Sequence, residues 1–104
     1  MVTTAAMLAR FRFDATIIKW RGPAPYLFVP VPDEFAGEIR YAARIVSYGW
    51  GVIPVEATLN AVAFTTSLFP RGDTYLLPVK MAVQREARVG LDDDVAVVIE
   101  IRAR

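Results

Sequence analysis

The sequence predicts a mostly-β domain: six short strands around two short helices, curled into a small closed or partly open barrel, with a strand–helix–strand unit given twice. Three observations predict it. Apolar residues recur at every second position over most of the chain. Only two segments change to helical spacing. Four of the strands meet through short turns, which leaves no room for the crossover helices of a parallel sheet.

Taken in order, "RFRFDATIIKW" alternates, with Phe11, Phe13, Ala15 and Ile17 on one face and Arg12, Asp14 and Thr16 on the other. "RGPAP" breaks the run, and "YLFVPV" is a second, short strand whose Pro30 and following Pro32 suit an edge or a strand end. "PDEFAGEIRYAARIVSYG" then takes the helical period through Phe35, Ile39, Ala42, Ala43 and Val46. Asp33 and Glu34 stand near its start, where acids are favoured, and Gly49 either closes it or supplies the following turn.

"GVIPVEATL" is the third strand, with Ile53, Val55, Ala57 and Leu59 inward. Asn60 and Ala61 form a tight reversal into "VAFTTSLF". "PRGD" is a turn, "TYLLPV" the fifth strand, and "KMAVQREARVG" a second helix ended near Gly90. "LDDD" is a turn, with Asp94 expected to bond back to its own backbone. "DVAVVIEIR" is the last strand, with Val95, Val97, Ile99 and Ile101 inward.

The duplication shows in the order of pieces. "YLFVPV" lies over "TYLLPV", with Pro30 matching Pro78, and "VIPVEAT" lies over "VAVVIEI". Two such units bury their apolar faces against each other about a pseudo-two-fold axis.

The 104 residues fit one domain, residues 1–104, and the 55% hydrophobic content suffices for a core without disulfides or metal while leaving room for a small homo-oligomer beside a monomer. Cysteine and histidine are absent, which removes thiolate nucleophiles, serine–histidine triads and the commonest metal ligand. A formal net charge of +1 gives no general attraction to nucleic acid or anionic lipid. "MVTTAAMLARFRF" does not read as a signal peptide and no run is long enough to span a membrane, so a cytoplasmic protein is expected.

Several pieces together resemble the DUF1905 family: "F.A.I..W....PYLFVPVP", "GWGVIPVEATL", "F.TSLFPRG" and "YLLPVK.AV", which cover residues 11–101 in order. The resemblance implies a double-split β-barrel, a fold shared in outline with AbrB- and MazE-like DNA-binding domains. "LPVKMAVQREARVGLDDDVAVVI" is similar to the AbrB pattern. Asp93 stands where the family usually has glycine, as do Asn60 and Ala61. The family offers no catalytic residues to carry over.

The ligand-binding candidates are Ser67, Arg71, Tyr75 and Lys80, where a turn presents cations and hydroxyls to an anion. Lys19 and Trp20, and Tyr48 with Trp50, are weaker candidates for stacking or for lining a pocket. Glu56 is a candidate half of a carboxylate pair with Asp14 or Asp73. No metal or cofactor is expected. These residues point to a non-enzymatic barrel that binds a small anionic ligand or a protein. One alternative is a nucleic-acid-binding domain of AbrB-like type, which the charge balance disfavours. The other is an enzyme acting on a small anionic substrate through Arg71, Lys80 and a carboxylate.

Overall fold

A computed structural model describes residues 7–19, 26–46 and 52–103. The strands are β1 (Met7–Thr16), β2 (Ile18–Lys19), β3 (Leu27–Pro30), β4 (Ile53–Leu59), β5 (Val62–Arg71), β6 (Thr74–Val79) and β7 (Asp94–Arg102). The helices are α1 (Ala36–Val46), entered through a 3-10 turn at Asp33–Phe35, and α2 (Met81–Ala87). The strands form one curled antiparallel sheet in the order β1-β7-β4-β5-β6-β3-β2. The fold is therefore mostly β with two short helices, as expected.

Among the described residues there are seven strands rather than six, because the first predicted strand divides at Ile17. The Ile17 N–H donates to the Asp93 carbonyl and its own carbonyl accepts from Asp92 N–H, both at 2.9 Å. The chain thus leaves the β7 ladder at this point and continues into β2, which pairs with β3. The two ends of the sheet order are consecutive pieces of chain. Strand β5 bends in the same sense, pairing with β4 through residues 62–68 and with β6 through residues 69–71.

Prolines decide where the ladders stop. In antiparallel pairing, alternate residues turn their backbone groups to opposite neighbours. The Val31 N–H donates to the Tyr75 carbonyl at 2.9 Å. Odd residues of β6 therefore face β3, and even ones face β5. Pairing of β5 with β6 runs through Arg71↔Thr74 and Phe69↔Leu76. The next step would oppose Ser67 to Pro78, which has no N–H to give, and the two strands part. On β3 the even residues face β2; after Ile18↔Phe28 the next step would oppose Thr16 to Pro30, and that ladder stops too. On β4 the Asn60 N–H donates to the Ala96 carbonyl at 2.9 Å, so even residues face β7. Pairing ends at Glu56↔Glu100, one step before Pro54.

The inward faces match the sequence reading. Ile53, Val55, Ala57 and Leu59 are all buried, as are Val95, Val97, Ile99 and Ile101. Burial of Ile39, Ala42 and Val46 seats α1, and the Phe35 ring lies 5.0 Å from Phe11 and 5.9 Å from Phe13. No buried side chain is charged or polar among the described residues.

Local turn chemistry differs from expectation in three places. Strand β5 runs on through Pro70 and Arg71, and the reversal is at Gly72–Asp73, with Gly72 at a φ of 56°. Pro70 fits inside the strand because it opposes Tyr75 where no ladder bond is made. Helix α2 ends at Ala87, near Gly90 as expected, but the left-handed residue that closes it is Arg88: it takes a φ of 58°, and the Val89 N–H donates to the Gln84 carbonyl at 3.0 Å. In the aspartate turn it is Asp93, not Asp94, that bonds back, its carboxylate accepting from Gly90 N–H at 2.8 Å. Asp94 instead accepts from the Thr16 hydroxyl at 2.6 Å.

The sequence overlay also needs one correction. Laying "VIPVEAT" on "VAVVIEI" puts buried Ile53 on exposed Ala96. A slide of one residue, Ile53 on Val95, restores inward to inward, since side chains alternate with a period of two. Among the described residues no helix is long and apolar enough to cross a membrane.

Candidate functional site

Where β5 parts from β6, the surface opens into a groove of about 1040 Å³. Its floor is made by strand segments whose pairing on one side stops at a proline: Pro54 and Val55 on β4, Thr65 to Ser67 on β5, Pro78 and Val79 on β6. One wall is apolar, built from Tyr26 just before β3, Phe28 on β3, Phe69 on β5 and Met81 at the start of α2. Three of these rings and chains are well exposed: Tyr26 and Met81 at 62% and Phe69 at 44%. Apolar groups left in water beside a concavity make this groove the candidate binding site.

The other wall is charged. Glu56 and Glu100 are register partners across β4 and β7. Arg102 donates to Glu56 at 2.9 Å and to Glu100 at 2.9 Å, and Arg10 stands 3.4 Å from Glu100. The hydrogen bond to Glu100 is the main cause that raises the Arg102 guanidinium above its ordinary value, so it stays a cation. The carboxylate partner of Glu56 is therefore Glu100, not Asp14 or Asp73. With Lys80 in the lining, the groove holds two cations and two anions.

Of the four principal candidates, Ser67 and Lys80 line this groove, and Arg71 and Tyr75 do not. Ser67 stands outward on β5 because it opposes Pro54. Lys80 is the extended residue before α2, with a ψ of 157°. Arg71 is exposed at the far end of β5. Tyr75 is buried, and burial pushes its hydroxyl above the ordinary range while the Arg40 guanidinium pulls it partly back. Arg40 also donates to the Asp73 carbonyl at 3.4 Å. Lys19 is exposed on β2; Trp20, Tyr48 and Trp50 lie outside the described residues.

Sequence reasoning missed Phe69, Met81, Glu100 and Arg102. Phe69 had a readable signal, since it is an apolar residue out of phase with Leu68 on the inward face. Glu100 and Arg102 had the outward phase of β7 but needed the strand order to bring them to Glu56. Among the described residues no group of three or more histidine, cysteine, aspartate or glutamate side chains is placed to hold a metal ion.

A family model described as "Domain of unknown function (DUF1905)" matches residues 13–99. No curated protein matches the chain.

Proposed function

The chain belongs to the DUF1905 family, and from that premise we propose that it is a binding domain whose ligand lies in the groove between β5 and α2. The carrying observation is the exposed apolar wall of Tyr26, Phe69 and Met81 around a space of about 1040 Å³, with Ser67 and Lys80 in its lining. That volume sits at the upper end of the range of about 300–1,000 Å³ usual for ligand pockets. The balanced charge of the lining favours an amphipathic ligand over a polyphosphate or a nucleic-acid backbone.

The scaffold behind the groove is a double-split barrel made by duplication. In this reading β3 repeats as β6 and β4 as β7, while the β1–β2 strand and β5 are the two that cross between halves. Pro30 and Pro78 match, and each faces a strand it cannot pair with. The halves differ in their helices: α1 has eleven residues and α2 seven. Phe35, seated on Phe11 and Phe13, is matched by the smaller Val83. The larger helix and its ring fill the first split, and the smaller pair leaves the second open as the groove.

A thermal-shift screen against metabolites and nucleotides tests the proposal, since a ligand that binds only the folded state raises its melting temperature. Ligands that shift the wild type and lose the shift in Met81→Asp support it. A panel in which every shift survives both Met81→Asp and Phe69→Ala would exclude the groove as the binding site.

A further inference from the structure

The edge of β5 says more about the occupant. Pairing of β4 with β5 opposes Pro54 to Ser67, so this is a position where no ladder bond is made. Ala63, Thr65 and Ser67 therefore turn their N–H and C=O groups away from β4, toward the side where β6 would lie. Strand β6 is paired to β5 only through residues 69–71. Among the described residues nothing pairs with the backbone of Ala63, Thr65 or Ser67 on that side. The row repeats every second residue, at about 6.8 Å. Thr65 and Ser67 open onto the groove.

Resting on the reading of the groove as a binding site, we infer that its occupant is an extended peptide segment that adds to β5 as a further strand. A peptide backbone offers donors and acceptors at the same repeat, which a compact metabolite does not. Pro78 keeps the chain's own β6 from occupying the edge. The added strand places alternate side chains against Phe28, Phe69 and Met81, so those side chains are apolar. The two cations and two anions of the lining match a segment without net charge.

The test uses the full chain against an array of random short peptides, with the bound sequences remade for titration. Ser67→Pro removes one N–H of this unused row, and Ser67→Ala keeps it. The expected result is capture of apolar, alternating peptides whose affinity falls about tenfold or more in Ser67→Pro and stays within about twofold in Ser67→Ala. Amides of Thr65 and Ser67 then become protected from hydrogen exchange in the complex. Thr65→Pro repeats the test if Ser67→Pro fails to fold. Equal affinity in the proline variants overturns the inference. So does a dimer in solution that the proline variants convert to monomer, since the edge is then taken by a second copy. If no peptide binds while a small molecule still gives a shift abolished by Met81→Asp, the strand is excluded and the groove reading stands. If neither class binds, both fall.

Discussion

Glu56 and Glu100 face each other across β4 and β7, and a single guanidinium, that of Arg102, bonds to both carboxylates at 2.9 Å. Like charges placed opposite in a sheet repel, and here the cation between them turns repulsion into a bridge. The bridge stands one step before Pro54, where the β4–β7 ladder ends, so it holds the two strands together at the groove's edge.

Arg102→Ala leaves two opposed carboxylates on an exposed surface. The expected result is a lower melting temperature than the wild type in low salt. Adding Glu100→Gln to that variant recovers most of the loss, and salt near ~1 M shrinks the difference. A melting temperature for Arg102→Ala equal to the wild type in low salt would show that the bridge contributes nothing.

Tyr75 links stability to alkaline pH. Its folded hydroxyl titrates above the ordinary value of 10.0, chiefly through burial. The unfolded chain loses this proton first, so the contribution is whole below that value and is lost as pH rises through the folded one. Stability followed by urea titration is expected to fall above pH 10, and to fall less steeply in Tyr75→Phe. Parallel slopes in the two proteins would remove Tyr75 as the cause.

The β4–β5 hairpin carries a strained residue. Asn60 and Ala61 have φ values of 46° and 71°, the paired positive values of a tight two-residue turn. Asparagine tolerates this; alanine does not. Ala61→Gly is expected to stabilise by about 0.5–1 kcal/mol, the relief of strain exceeding glycine's extra chain entropy. Asn60 is a poorer site for change, since its amide oxygen also accepts from Ala96 N–H at 2.9 Å. Denaturant midpoints measure the gain, and a lower midpoint would contradict it.

Phe35 and Met81 separate a packed position from an open one. Phe35→Ala removes a ring seated on Phe11 and Phe13 and is expected to cost about 2–3 kcal/mol, less than a fully buried ring. Met81→Ala, at an exposed position, is expected to change stability by no more than about 0.5 kcal/mol. Comparable losses in both would mean that the groove wall is packed in solution.

Much of the fold was legible because alternation is a local property. The inward rows of β4 and β7 follow from which residues are apolar at a period of two, and the limits of β6 from the turn before it and the helix after it. The turn after β5 was misplaced because "PRGD" carries two turn signals, and Pro70 happens to stand where a strand accepts it. The register of one half on the other is off by one residue in the sequence because order of elements does not fix which face of a strand is inward.

The sequence by itself determined family membership, the mostly-β content with two short helices, the inward rows of β1, β4 and β7 and the absence of cysteine and histidine chemistry. All of these depend on neighbours in the chain. Only the tertiary structure decided that Ser67 and Lys80 share a groove while Arg71 and Tyr75 stand outside it, and that Glu56 meets Glu100 forty-four residues away, 100 against 56. Convergence of that kind depends on strand order and on which ladder ends at which proline, and a missing N–H acts only on the partner that the fold brings opposite it.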